Sequence, residues 1–196
     1  DFMTYNSGDW TITTTEAGGG DATEVVTSSA GGALLITNDA ADNDADFFNL
    51  KGESFKLSSS KKAYFSARFK VSDATQSDFV IGLQITDTTP LAVSDGVYFM
   101  KDDGDTNLDF YVEKDSTSTD TTAVATIADD TFITVSWFID PDRAAVYYSI
   151  NNATPVKVAN TNLPDDEELT ISFGIQNGEA AAKTMTIDYV TAMVER

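Results

Sequence analysis

Alternation with a period of two runs through almost the whole chain, and it constrains the fold more than any other feature of the sequence. Apolar or aromatic residues alternate with polar ones in short runs bounded by Gly, Asp, Asn and Pro, which is typical of half-buried β-strands between turns. The clearest runs are AYFSARFKV (63–71), DFVIGLQITD (78–87), GVYFMK (96–101), LDFYVEK (108–114), FITVSWFID (132–140), AAVYYSI (144–150), LTISFGIQN (169–177) and TMTIDYVTAMV (184–194). No window has a helical period, so the sequence predicts an all-β chain.

The spacing of the strands predicts the architecture. About a dozen strands at intervals of roughly 8–12 residues indicate an antiparallel two-sheet sandwich or jelly roll. At 196 residues the chain has the size of one domain, and we predict a single β-sandwich over residues 1–196. Residues 1–50 contain no Lys or Arg, but the apolar segments 33–36 and 47–48 require burial. Residues 1–30 are either the first strands of the sandwich or a loop-rich N-terminal arm.

The same alternation predicts which side chains face the core. The expected core comprises Phe65, Phe69, Phe79, Ile81, Leu83, Ile85, Val97, Phe99, Phe110, Val112, Ile133, Val135, Trp137, Ile139, Val146, Tyr148, Ile171, Phe173, Ile175, Ile187 and Tyr189. The alternate face retains an unusual set of aromatic and basic side chains, namely Tyr64, Arg68, Tyr98, Tyr111, Phe132, Phe138 and Tyr147.

Composition excludes several classes of protein. The chain has no His and no Cys, which excludes a Ser-His-Asp triad, a thiolate nucleophile, a disulfide framework and thiolate zinc sites. Its net charge is −20, which repels nucleic acids and anionic lipids at neutral pH. No apolar run approaches the roughly 20 residues that span a bilayer. We therefore predict neither a nucleic-acid partner nor a membrane partner.

The order of the strands resembles a known superfamily. The runs AYFSARFKVSD and SDFVIGLQITD, then DGVYF, FITVSWFID and VYYSINNA, and the terminal TIDYVTAMVER are similar to the concanavalin A-like lectins and glucanases, over about residues 62–196. The final strand resembles the closing Asp-aromatic-Val strand of laminarinase-type glucanases. The pattern also resembles jelly-roll proteins of tailed phages that decorate or cement capsids. The resemblance implies two antiparallel sheets, one of them concave.

The chemistry of the glucanases is not implied by this resemblance. They carry a strand of the form Glu, hydrophobic, Asp, hydrophobic, any residue, Glu, and a retaining hydrolase needs two carboxyl groups about 5 Å apart. Glu113-Lys114-Asp115-Ser116 is the nearest approach to that strand in this sequence, and its spacing is wrong. We therefore predict that the protein is not an enzyme.

Two acidic stretches are candidate calcium sites. Asp102, Asp103, Asp105 and Asp109 surround one hairpin, and Asp39, Asp42, Asp44 and Asp46 form a second group. Alternating aspartates in a Gly-containing loop can supply several of the six to eight oxygens that Ca²⁺ takes. Aspartate is also a preferred turn residue, and neither stretch has EF-hand spacing. The sequence predicts no cofactor other than calcium, for which Asp102, Asp105 and Asp109 are the candidates.

The candidate ligand-binding residues are Tyr64, Arg68, Tyr98 and Tyr111. Tyrosine rings on a concave sheet stack on sugars, and Arg donates hydrogen bonds to them. Tyr and Arg are also enriched at protein interfaces, so packing under loops or against a neighbouring subunit is the alternative that we favour. Half of the basic residues lie within 51–70, where they form either a docking stripe for an acidic partner or edge lysines that prevent aggregation.

These features lead to two main functional hypotheses, beside a glucanase-like hydrolase that the missing carboxylates disfavour. The first is a non-enzymatic virion protein, a decoration or cement subunit bound to the major capsid protein on the outer capsid surface. A symmetric shell would favour homo-oligomers such as trimers, and multivalent attachment would make modest contacts effectively permanent. The alternative is a secreted or extracellular carbohydrate-binding module or adhesin that holds a surface glycan.

Overall fold

The computed structural model describes residues 2–196, within which fourteen strands form two antiparallel seven-stranded sheets. Sheet A has the strand order β1-β4-β13-β6-β7-β8-β9 and sheet B the order β12-β11-β10-β5-β14-β3-β2. The strands are β1 (Trp10–Thr15), β2 (Thr23–Thr27), β3 (Ala33–Thr37), β4 (Ala45–Leu50), β5 (Ala63–Val71), β6 (Ser77–Gln84), β7 (Gly96–Lys101), β8 (Asn107–Lys114), β9 (Thr117–Thr126), β10 (Ile133–Asp140), β11 (Ala145–Ile150), β12 (Val156–Ala159), β13 (Thr170–Asn177) and β14 (Thr184–Val194). The predicted all-β, two-sheet sandwich is confirmed.

The core lies between the inner faces of the two sheets. Trp137 of β10 is paired with Phe65 of β5, and their rings stack with centroids 5.9 Å apart inside sheet B. Phe69 of sheet B meets Phe79 of sheet A edge-to-face at 5.2 Å. These four side chains are almost completely buried, so the strand alternation predicted their orientation correctly.

The first thirty residues contribute to both sheets. β1 pairs with β4 at one edge of sheet A, and β2 pairs with β3 at the corresponding edge of sheet B. Phe2 packs edge-to-face on Phe173 at 6.2 Å, and Tyr5 packs on Phe48 at 6.4 Å. The N-terminal segment therefore adds aromatic side chains to the edge of the core.

Tyr189 does not face the core, and this prediction is wrong. The pairing of β14 with β5 shifts between Ile187 and Tyr189, which leaves Asp188 as an extra residue. Such a β-bulge reverses the faces of the residues that follow it. Ile187 is therefore paired with buried Phe69, whereas Tyr189 is paired with Arg68 on the outer face. Ile85 and Ile171 pack against the core but are only half-buried.

One buried charge was not anticipated from the sequence. Lys101, at the end of β7, is 1% exposed. Its ammonium donates hydrogen bonds to the carbonyls of Thr75, at 3.0 Å, and Ser77. Burial lowers the pKa of Lys101, because an apolar environment disfavours the charged form. The lysine therefore holds the loop before β6 from inside the sandwich.

Candidate functional site

The four candidate ligand-binding residues lie on opposite faces of the molecule. Tyr64 and Arg68 are on the outer face of sheet B, as shown by their pairing with Phe138 and Thr134. Tyr98 and Tyr111 are paired with each other on the outer face of sheet A. The sandwich thus separates them into two pairs, and neither face carries all four.

On sheet A, Tyr98 is not available to a ligand. Its ring is 2% exposed and stacks on Tyr111 at 5.2 Å with an interplanar angle of 9°. Its hydroxyl donates a 2.5 Å hydrogen bond to Glu113 Oε2. Burial and the Glu113 carboxylate both raise the pKa of Tyr98. Tyr98 is therefore a packed, neutral side chain, and half-buried Tyr111 is the accessible member of the pair.

The segment between β6 and β7 covers part of the outer face of sheet A. Leu91 and Val93 of this segment pack with Phe47, Val80 and other outward side chains of the sheet in a second apolar cluster. Gln84 Nε2 donates to the Pro90 carbonyl at 3.0 Å and fixes the segment to β6. This cover explains why outward-pointing apolar residues on sheet A are buried.

The accessible part of sheet A beside Tyr111 is acidic. Tyr111 is paired with Asp120 of β9, and Asp109 lies two residues before it on the same face of β8. Burial and the Asp109 carboxylate raise the pKa of Tyr111 to about 12. On β7, which lies beside β8, the outward positions are Gly96, Tyr98 and Met100, so this strand presents no carboxylate to solvent.

On sheet B, a row of large outward-facing side chains crosses four neighbouring strands, from buried Tyr147 to exposed Met193. Tyr147, Phe138, Tyr64 and Met193 occupy successive paired positions on β11, β10, β5 and β14; we call these four residues the outer row. Phe138 and Tyr147 stack at 5.0 Å with an angle of 7°. Exposure rises along the row to 37% for Tyr64 and 56% for Met193. A groove of about 650 Å³ lies over this end of the row.

Arg68 is already engaged by its neighbours. Its Nη1 donates to Asp188 Oδ2 at 2.6 Å, and its guanidinium lies 4.0 Å from the centroid of the Phe132 ring. The partner carboxylate belongs to the extra residue of the β14 bulge. Arg68 therefore stabilises the surface of sheet B, and the predicted pairing of Arg68 with Tyr98 and Tyr111 at one site does not occur.

The candidate calcium ligands mostly accept hydrogen bonds from nearby backbone amides. Asp105 Oδ1 accepts from the Asn107 amide at 2.7 Å, and Asp109 Oδ1 accepts from the Ala123 amide at 2.6 Å. In the second stretch, Asp39 and Asp44 accept from the backbone amides of the glycine-rich turn 17–20. Within residues 2–196, no group of three or more acidic side chains is arranged to hold a metal. Calcium binding at Asp102, Asp105 and Asp109 stays a prediction.

Asp46 differs from these aspartates because it is inside the sandwich. It is 1% exposed, and Oδ1 accepts a 2.5 Å hydrogen bond from the Thr14 hydroxyl. Burial raises the pKa of Asp46 to about 7. The hydrogen bond from Thr14 lowers this pKa, whereas the nearby Glu24 carboxyl raises it further. The carboxyl group is therefore protonated in the folded protein at pH values where it is ionised in the unfolded chain.

Replacing Asp46 with asparagine should flatten the pH dependence of stability. Because the folded pKa exceeds the unfolded value, the contribution of Asp46 to stability is present at low pH and is lost as pH rises through about 7. Urea unfolding should show wild type losing at least about 1 kcal/mol more than Asp46→Asn between pH 5 and pH 8. Asp42→Asn removes a charge from an exposed position and should follow wild type. Equal pH dependence of wild type and Asp46→Asn would contradict this assignment.

The basic stretch 51–70 does not form a single stripe. Lys70 on the outer face of sheet B pairs with Asp130 at 2.9 Å, and Lys56 pairs with Glu168 at 3.2 Å. Lys51 donates to the Gly8 carbonyl near the edge of sheet A. Lys61 and Lys62, in the turn before β5, form no ion pair with any described residue. Unpaired positive charge is thus concentrated at the end of sheet B where β5 begins.

Within residues 2–196, no helix is long and apolar enough to cross a membrane.

Comparisons with known proteins identify the fold. Neither protein families nor curated proteins give a match. Among solved structures, a family 16 glycoside hydrolase of Bacteroides ovatus, from its mixed linkage glucan locus and in complex with product, matches with a TM-score of 0.66 and 15% identity, over 98% of each chain. A protein of unknown function from Shewanella oneidensis MR-1 matches with a TM-score of 0.65 and 15% identity, over 99% of this chain and 84% of its own.

A third similar structure is a lectin domain. The potassium-bound carbohydrate recognition domain of Emp46p matches with a TM-score of 0.64 and 11% identity, over 97% of this chain and 92% of its own. Lectin domains and glycan-active enzymes are therefore both among the structures that resemble this chain. At these identities the likeness shows the fold alone, and that fold is the concanavalin A-like jelly-roll sandwich.

Proposed function

We propose that this protein is a non-enzymatic structural subunit that decorates or cements a viral capsid, attached through the outer face of sheet B. The observation that carries the proposal is the one-sided distribution of exposed apolar side chains. Among residues 2–196, and apart from Met3, the large exposed hydrophobic residues all lie on strands of sheet B. Val25, Tyr64 and Met193 point to its outer face, whereas Val26 and Val156 belong to the two edge strands and are paired with the core residues Leu34 and Tyr148. Exposed apolar area confined to one side of a molecule is typical of an interaction surface.

The contrast between the two sheets supports attachment in this orientation. Sheet A is covered in part by the segment before β7, and its accessible part beside Tyr111 is acidic. With a net charge of −20, such a surface keeps the outside of a particle soluble. The outer row would be buried against the major capsid protein. Repeated attachment over a symmetric shell, as a homo-oligomer such as a trimer, would compensate for a modest single contact.

Mass measurements test this proposal directly. Mass photometry with and without calcium gives the oligomeric state, and mass spectrometry of intact virus particles shows whether the chain is present at high copy number. The double variant Tyr64→Ser/Met193→Ser should be retained on particles about tenfold less than wild type, because it removes exposed apolar area from the outer row. The control Tyr111→Ser changes a tyrosine on the opposite face and should be retained normally. Absence of the chain from particles would overturn the proposal.

Carbohydrate binding is the second candidate function, and the outer row is the observation that favours it. Tyr64 is 37% exposed on the outer row, and an exposed tyrosine ring can stack on a sugar ring. The similar structures include a carbohydrate recognition domain and a glycan-bound hydrolase. A glycan array on wild type, Tyr64→Ala and Tyr111→Ala tests the idea and identifies the face. Binding lost in Tyr64→Ala alone would place the glycan on the outer row, whereas no binding by wild type would exclude a lectin role.

A further inference from the structure

One edge of β14 is unpaired over half of its length. β14 runs from Thr184 to Val194 and pairs with β5 along nearly all of it. On its other side, β3 pairs only with residues 184–187, because the chain turns away at Gly31 and Gly32 before β3 begins. No strand within residues 2–196 pairs with that side of residues 189–194. Sheet B therefore contains a notch below β3, in which alternate amides and carbonyls of β14 point away from β5.

A groove lies beside this part of β14. It has a volume of about 700 Å³ and lies between residues 192–196 on one side and residues 54–56 with Lys61 on the other. Phe55 packs against the main core, and Met193 is 56% exposed. An extended segment of six residues spans about 20 Å, which is the length of the open edge. We call this groove and the open edge of residues 189–194 the β14 notch.

The rim of the β14 notch is basic. Lys56, Lys61 and Arg196 line it, and Lys62 follows directly after Lys61. Lys61 and Arg196 form no ion pair with residues 2–196, and only Lys56 is neutralised, by Glu168. Glu195 is the acidic residue that lines the same groove. In a protein with a net charge of −20, this local excess of positive charge favours an anionic occupant.

We propose that the β14 notch receives an extended acidic segment of a partner protein, which adds to sheet B as an antiparallel or parallel neighbour of β14. Main-chain hydrogen bonds to residues 189–194 supply the affinity, and acidic side chains of the segment meet Lys61 and Arg196. The partner's identity rests on the proposed function: in a capsid, the segment belongs to the shell protein. The notch then anchors the same sheet whose outer row lies against the shell.

The side chains of the notch favour a polypeptide over an anionic glycan. The Ser54 hydroxyl donates to the Gly52 carbonyl at 2.7 Å and is not free to bind a sugar. Phe55 is half-buried against the core, so its ring does not form an open stacking platform. The main chain of β14 offers the regular donor and acceptor spacing of a strand, which a peptide matches and a sugar chain does not.

Titration with two peptides tests this inference without the shell protein. The probe is an acetylated and amidated peptide of about eight alternating Val and Glu residues, a length that covers the open edge at about 3.4 Å per residue. The matched peptide replaces every Glu with Lys. Addition of the Val-Glu peptide should slow NMR-detected amide exchange within residues 189–194, and the Val-Lys peptide should not. Amide exchange that is unchanged by the Val-Glu peptide would overturn strand addition.

Charge reversal tests the role of the rim. Lys61→Glu/Arg196→Glu should weaken binding of the Val-Glu peptide about tenfold at low salt, because two attractive contacts become repulsive. Lys157→Glu makes a charge change of the same sign on β12, at the far edge of sheet B, and should bind within about twofold of wild type. Equal loss in the rim variant and the control would overturn the electrostatic assignment.

The outcomes separate this inference from the proposed function. An oligo-uronate is the probe for an anionic glycan. If it binds to the rim, and if neither it nor the Val-Glu peptide slows amide exchange in residues 189–194, the groove is assigned to an anionic glycan and strand addition is overturned. Absence of the chain from virus particles would overturn the capsid role, whatever the peptide titration shows. If the chain is abundant on particles but does not bind the peptide, the capsid role is supported and strand addition at the β14 notch is refuted.

Discussion

Replacing Trp137 with alanine is expected to lower the free energy of unfolding by about 3–5 kcal/mol, the usual cost of removing a buried aromatic side chain. Trp137 is completely buried on β10, beside the central strand of sheet B, and its ring stacks on that of Phe65 at 5.9 Å. Its loss removes the packing of a large side chain in the main core and leaves a cavity that the surrounding side chains fill only in part. Urea unfolding followed by circular dichroism measures the change without relying on the removed fluorophore.

Two controls define what the Trp137 result means. Trp137→Phe keeps a ring in the core and should cost less than half as much as Trp137→Ala. Phe138→Ala, on the next residue but the opposite face, removes a half-buried ring and should cost about 1–2 kcal/mol. A loss below about 1 kcal/mol in Trp137→Ala would be inconsistent with a packed core at this position.

Replacing Lys183 with methionine is expected to lower the free energy of unfolding by about 2–4 kcal/mol at pH 7. The Lys183 side chain is 5% exposed and its ammonium bridges Asp73 Oδ2 at 2.8 Å and Glu179 Oε1 at 2.6 Å. Removal of the ammonium leaves two carboxylates without their shared partner. The loss in free energy of unfolding is smaller than for a fully buried ion pair, because both carboxylates are partly exposed to water.

Acid dependence gives a second readout of the same ion pair. Burial by itself raises the pKa of Asp73, but hydrogen bonds from Lys183, Gln76 and Thr75 outweigh it and lower the pKa to about 2. The stabilisation is therefore fully present above about pH 4 and is lost as pH falls towards 2. Lys183→Met should weaken this dependence in urea unfolding series between pH 5 and pH 2.

Lys114 provides the matched control for Lys183. Its ammonium also bridges two carboxylates, Asp165 at 2.6 Å and Asp166 at 3.0 Å, but at the protein surface. Exposed ion pairs contribute little, so Lys114→Met should lower the free energy of unfolding far less than Lys183→Met. If Lys114→Met and Lys183→Met cost the same, burial of Lys183 would not be the source of its effect.

The local pattern of the sequence was sufficient to predict the strands and most of the core. A strand's two faces are decided by alternation along a few residues, so Phe65, Phe69 and Trp137 could be oriented without knowledge of their partners. The one reversal, at Tyr189, arises from the bulge at Asp188. A bulge depends on how two strands align, and Met185, Ile187 and Tyr189 alternate regularly in the sequence, so that only the adjacent apolar residues Tyr189 and Val190 mark the shift.

The candidate site was less predictable because it depends on which strands become neighbours. Tyr64 and Tyr98 have the same outward alternation, yet β5 lies in sheet B and β7 in sheet A. Tyr98 is outward-facing as predicted, but the segment before β7 packs with this face of sheet A and the ring is buried. The outer row could be assembled only once β14, β5, β10 and β11 were known to be adjacent.

The sequence by itself determined the all-β class, the antiparallel sandwich and the inward or outward orientation of most strand residues, because these follow from interactions within a single strand and its turns. Tertiary structure alone decided that the candidate residues are divided between two sheets, that Lys101 and Lys183 are buried charges, and that half of β14 has an open edge. These features depend on contacts between residues far apart in the chain. β5, for example, aligns Ala63 with Val194, a pairing that no short window of sequence contains.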